Sequence, residues 1–131
     1  MKHDAAVMRS MLGRARGLGS AKSGVEHWWW HRVTSVALIP LTLWFVYSMV
    51  HLAGMPRAAV VAWAHHPLVS ASLLALIWAT FTHFQMGVCS VMEDYIRTES
   101  RRVVSMLLIK GLCGFLGLTA AVAVLKLALA G

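Results

Sequence analysis

The sequence predicts an all-α membrane protein of three transmembrane helices, with its N-terminus inside and its C-terminus outside. Of 131 residues, 59% are hydrophobic and 13% charged, and the charges gather in short clusters, which leaves no polar surface for a water-soluble fold. No Asp, Glu, Lys or Arg occurs from Val33 to Pro56 or from Ala58 to Met92. The basic residues are also unevenly shared among the connecting segments. That imbalance sets the orientation.

Residues 1–27, with Gly13, Gly17, Gly19, Ser20, Ser23 and Gly24, read as a flexible N-terminal segment on the cytoplasmic face. Their Arg-rich, nearly acid-free composition would suit a mitochondrial transit peptide as well as a cytoplasmic flank. The chain is read as unprocessed, because the first apolar stretch is too long for a signal peptide and lacks a clear small-residue cleavage site. Residues 28–131 form the three-helix anchor, with spans at about 31–53, 67–94 and 103–129. Each exceeds the roughly 20 residues that a hydrocarbon core of about 30 Å requires.

Trp28, Trp29 and Trp30 mark the inner interface before the first span, since indole rings prefer the headgroup level, and Trp63 does the same outside. The second uncharged run is too long for one span. It is divided at Pro67, a residue tolerated in the first turn of a helix, and Arg57 to Ala64 is expected to form a short interfacial helix before it. The third span carries Lys110 and Lys126 near its ends, where their stems can snorkel to the headgroups. Gly111, Gly114 and Gly117 offer it a small-residue face for close helix contact.

Lys2, Arg9, Arg14, Arg16, Lys22 and Arg32 precede the first span, and Arg97, Arg101 and Arg102 follow the second. The first loop has only Arg57 and the C-terminus only Lys126. The positive-inside rule therefore puts the N-terminus inside. A formal charge of +7 also raises nucleic acid as a partner, but no basic region is interleaved with base-stacking aromatics on a soluble surface. Lipid headgroups are the expected anionic neighbour. Cys89 and Cys113 fall inside spans with no metal-binding spacing and read as small buried hydrophobes. No internal repeat, phosphate-binding glycine loop or Ser/His/Asp arrangement is present.

Most polar residues of spans one and three are Ser or Thr, which bond back to their own helix, but span two holds His83 well inside its apolar run. The 11 steps from His83 to Asp94 correspond to about 16 Å and return to within about 20° of the starting direction. His83, Gly87, Ser90 and Asp94 thus form one stripe, with His83 near mid-membrane when Asp94 is at the inner interface. A neutral imidazole ligates haem iron, and a glycine beside it lets a flat porphyrin approach. The alternative is a hydrogen bond across the bundle.

If His83 is a ligand, a second axial ligand must come from another polypeptide, because His51, His65 and His66 lie at the outer ends and His27 and His31 where the chain first meets the membrane. Glu93-Asp94-Tyr95 closes the helix, either as a solvated end or as a quinone contact in which Tyr95 donates a hydrogen bond and Asp94 relays protons. Arg32 is either a positive-inside anchor or a partner for a haem propionate.

The run His83-Phe84-Gln85-Met86-Gly87-Val88-Cys89-Ser90-Val91-Met92-Glu93-Asp94-Tyr95 resembles the His-x3-Gly-x6-Asp-Tyr signature of the smaller hydrophobic membrane-anchor subunit (D subunit) of succinate dehydrogenase, respiratory complex II. The segment from Arg14 to Gly24, followed by His27-Trp28-Trp29 and Arg32-Val33-Thr34, is similar to the alphaproteobacterial form. The resemblance implies half of a two-subunit haem-binding bundle in a bacterial inner membrane. It implies His83 as an axial ligand of haem b, Tyr95 on a ubiquinone carbonyl, Asp94 in the proton path and Arg32 near a propionate. The implied partners are a flavoprotein subunit, an iron–sulfur subunit and the larger cytochrome b anchor subunit, with no independent activity for this chain. Some relatives have a neutral residue where this chain has Glu93, which is left without a role. Rival readings are a fumarate reductase anchor, a haem-free channel or transporter subunit, and a purely structural assembly subunit.

Overall fold

The computed structural model describes Met11 and residues 23–130, and residues 23–130 form four helices: α1 (Ser23–Leu52), α2 (Arg57–His65), α3 (Pro67–Tyr95) and α4 (Glu99–Ala128). There is no strand among the described residues. The basic residues Lys2, Arg9, Arg14, Arg16 and Lys22 lie outside them, as does most of the expected N-terminal segment. Three helices, α1, α3 and α4, are long and apolar enough to cross a membrane.

Each long helix extends beyond its apolar run. At 30 residues α1 is about 45 Å long, the thickness of a bilayer with its headgroups. It begins eight residues before the expected span because backbone hydrogen bonding does not stop where apolarity does. Glu26 in the first turn of α1 and Glu99 in that of α4 favour these extensions by complementing the helix dipole. α1 also continues through Pro40, which has no N–H to offer the carbonyl of Val36.

The breaks have local causes. Gly54 sits at φ +83° just after α1, a conformation costly for any side chain, and the Met55 N–H turns back to the Leu52 carbonyl at 3.0 Å. His66 separates α2 from α3 because the residue before a proline is pushed out of the helical region; its φ and ψ are −65° and 125°, and Pro67 then opens α3. Ser70 Oγ donates to the Ala64 carbonyl at 2.6 Å, and His65 Nδ1 donates to the Ala128 carbonyl at 2.8 Å, so both cap helix C-termini. The short α2 is thereby tied to the end of α4. Trp63 of α2 stacks on Trp44 of α1, with ring centroids 5.9 Å apart.

α3 is the middle of the bundle, packing against α1 on one side and α4 on the other. The buried set is small: Thr34, Ser48, Ala64, Leu73, Ala79, Met86, Cys89, Cys113 and Ala128. Val36, Leu43, Leu107, Phe115 and Leu118 face outward, the reverse of a soluble bundle and the pattern a lipid solvent permits. Both cysteines are free and buried, as expected.

The expected glycine face of α4 is realised at one position only. A Cβ at Gly117 would stand 3.3 Å from the Phe81 ring, whereas at Gly111 and Gly114 it would meet nothing within 4 Å. Three-residue steps rotate by about 300° each, so the three glycines fan around the helix instead of lining one contact. Gly117→Leu is therefore expected to weaken the α3–α4 contact by about 1–3 kcal/mol, while Gly111→Leu stays within about 0.5 kcal/mol of the parent. Unfolding of the full chain in detergent, followed by circular dichroism, checks the difference.

Candidate functional site

His83 is the seventeenth residue of α3, half-buried, on the side turned toward α1. Its Nδ1 is 3.1 Å from Oγ1 of Thr34, a fully buried residue. Thr34 Oγ1 also lies 2.9 Å from the Trp30 carbonyl and 3.1 Å from the His31 carbonyl. The expected back-bonding of Ser and Thr is thus present at Thr34, and equally at Ser35, Ser48, Ser90 and Thr119. Thr34 does more, because it also reaches a second helix. Among the described residues it is the one hydrogen-bond partner of the His83 ring, and none is found at Nε2.

Beside this contact the His31 and His83 rings approach to 4.3 Å between centroids, at 40°. This differs from the expectation that His31 stays where the chain first meets the membrane. His31 lies within α1, and the contact between the rings puts it level with His83. His31 does not provide a ligand from the far side of an iron: rings this close are in direct contact, with no space for a metal and a porphyrin between them.

A Cβ added at Gly87, one turn after His83, would meet nothing within 4 Å. The imidazole thus has a nitrogen without a partner and an uncrowded helix surface next to it, which leaves room for a flat macrocycle. The described residues contain no group of three His, Cys, Asp or Glu side chains able to hold a bare metal ion. Single axial ligation needs no such cluster.

Asp94 and Tyr95 occupy the end of α3, about 16 to 18 Å along the helix from His83. Both are exposed, Tyr95 at 82%. Tyr95 lines an open hollow of about 610 Å³ at the α3–α4 turn, together with Arg97, Thr98, Ser100, Arg101 and Ser105. Asp94 does not line it. The hollow brings a phenol, hydroxyls and two guanidinium groups to one place, so it can meet a polar head group with both hydrogen-bond donors and positive charge.

Arg32 is not brought to His83. It follows His31 on α1 but lies about 160° around the helix from Thr34, and its guanidinium sits over the Trp28 ring at 5.4 Å. That contact places the guanidinium against an exposed indole. The residues that sequence reasoning missed are Thr34, His31, Arg97 and Arg101. In sequence the two arginines signal only orientation, and nothing in one sequence pairs Thr34 or His31 with a residue some fifty positions away.

The sequence profile of the succinate dehydrogenase/fumarate reductase transmembrane subunits matches residues 7–124. The chain is 28% identical over 102 residues to a succinate dehydrogenase hydrophobic membrane anchor subunit of Rickettsia bellii, covering 78% of this chain and 82% of the relative. The subunit of the same description from Paracoccus denitrificans is 28% identical over 88 residues, 67% of this chain and 68% of that one. A succinate dehydrogenase membrane anchor subunit of Reclinomonas americana is 28% identical over 96 residues, 68% of this chain and 77% of that one. No solved structure gives a significant match.

The placement of the α3 end is checked by thiol labelling of the full chain in lipid nanodiscs. Tyr95→Cys is expected to react with a water-soluble maleimide at least about tenfold faster than the buried native Cys89 and Cys113, as accessible thiolates outpace buried thiols.

Proposed function

The chain belongs to the family of succinate dehydrogenase/fumarate reductase transmembrane subunits, and from that premise we propose that it is the smaller hydrophobic anchor of a bacterial succinate:ubiquinone oxidoreductase. One helix carries this reading: α3 holds a half-buried imidazole with an unpartnered Nε2 beside the open Gly87, and ends in an exposed carboxylate and phenol. The relatives' names favour succinate oxidation over the reverse reaction.

In this reading His83 would hold the iron of a b-type haem, and the larger anchor subunit would complete the site. When bound, the haem supplies a one-electron redox centre inside the membrane. The work of the chain itself is positional. His83 offers a neutral nitrogen lone pair at a fixed place on a rigid helix, Gly87 leaves the approach clear, and the Thr34 contact holds the ring against rotation. Arg32 is the nearby cation of α1, available to a haem propionate or to the inner headgroups.

At the end of α3, Tyr95 donates a hydrogen bond to one carbonyl oxygen of ubiquinone as electrons arrive from the iron–sulfur subunit, and Arg97 and Arg101 offset the negative charge that develops. Asp94, exposed next to it, takes protons from water and passes them toward the reduced oxygen. The flavoprotein and iron–sulfur subunits then dock on this side of the inner membrane, which is the cytoplasmic side by the distribution of basic residues.

In the purified complex, His83→Ala is expected to abolish the b-type haem absorbance while the chain still inserts into the membrane; an unchanged spectrum in an assembled complex refutes the ligand role. Tyr95→Phe should lower succinate-driven ubiquinone reduction by about 10²-fold, the scale for losing one donor to a developing oxyanion. Reduction of an artificial acceptor by the same preparation should be unchanged, and a parallel loss with both acceptors removes Tyr95 from the quinone site.

A further inference from the structure

We propose that Thr34 is a positioning residue for His83, holding it as the Nδ1–H tautomer so that the Nε2 lone pair is the one presented to iron. The inference rests on the reading of His83 as a haem ligand. Thr34 Oγ1 has three neighbours at hydrogen-bond distance: the Trp30 carbonyl at 2.9 Å, the His31 carbonyl at 3.1 Å and His83 Nδ1 at 3.1 Å. The hydroxyl has one proton to give and two lone pairs to receive with.

Both carbonyl oxygens are acceptors only. If the hydroxyl proton pointed at His83, two oxygen–oxygen contacts near 3 Å would be left with no hydrogen between them, in a site sealed from water, since Thr34 is 0% exposed. Directing the proton to the helix carbonyls removes that conflict and turns a lone pair toward α3. The Nδ1 of His83 must then carry the hydrogen and donate it. A neutral imidazole protonated at Nδ1 is unprotonated at Nε2, the atom without a partner.

Two further features follow from the same geometry. The donor–acceptor line and the His31 ring, 4.3 Å away, together fix the plane of the imidazole, so α1 sets ring orientation as well as tautomer. A hydrogen bond from Nδ1–H also makes the ring a stronger electron donor through Nε2, which favours the oxidised iron and lowers its reduction potential. Thr34 therefore acts on the electronics of a group it does not touch.

The test uses the assembled complex with Thr34→Val, which keeps the shape and removes the hydroxyl, and Thr34→Ser, which keeps the hydroxyl. The readouts are the haem midpoint potential from an optical redox titration and the low-spin electron paramagnetic resonance spectrum. The proposal expects an upward shift of the potential and altered g-values in Thr34→Val, with Thr34→Ser close to the parent in both. If Thr34→Val loses the haem altogether, retention of haem and of the parent potential in Thr34→Ser still supports the proposal, and loss in both overturns it as a packing effect. Parent-like potential and spectrum in Thr34→Val overturn it while leaving His83 as ligand, provided that His83→Ala removes the haem. A haem spectrum that survives His83→Ala overturns the ligand reading and the proposal with it.

Discussion

A polar side chain inside an apolar span has no water to bond with, so its partner must come from the protein, and this constraint organises the bundle. His83 is the one histidine in the middle of α3, and among the described residues the Thr34–His83 contact is the one side-chain hydrogen bond that joins two spanning helices. It draws α1 against α3 at a fixed rotation, because Thr34 must face inward to reach it. The T-shaped Trp30–Trp78 pair, with centroids 6.2 Å apart, locks the neighbouring turn of the same seam. On the opposite side, Gly117 lets Phe81 of α3 approach the α4 backbone closely.

The architecture was largely legible because a membrane restricts the choices. Uncharged runs of spanning length, a proline at the one sensible division and arginines at the run ends were enough for three spans and for the short helix before Pro67. Helix limits were less legible: apolarity reports where lipid begins, whereas Glu99 begins its helix according to backbone bonding and first-turn charge. The glycine face was misread for a related reason. A repeat of three residues resembles a stripe on paper, but it precesses around a helix of 3.6 residues per turn.

The candidate site divides along the same line. Residues within one helix were readable, because the 11-residue interval from His83 to Asp94 fixes both distance and direction once the helix is granted. Contacts between helices were not. His31 and Thr34 gained their significance only from the register of α1 against α3, which no local pattern encodes. The hollow at Tyr95 is built by a turn between two helices, so Arg97 and Arg101 looked like topology signals rather than parts of a site.

The double engagement of Thr34 also bears on the order in which the chain is made. α1 emerges first, and its hydroxyl can rest on the Trp30 and His31 carbonyls of its own helix, so α1 can wait in lipid with that group satisfied. α3 has no such independence, since the His83 ring finds its partner on a helix made earlier. Synthesis from the N-terminus thus presents the His83 ring only after Thr34 is in place, and reversing the order of these two helices would leave an imidazole stranded in hydrocarbon.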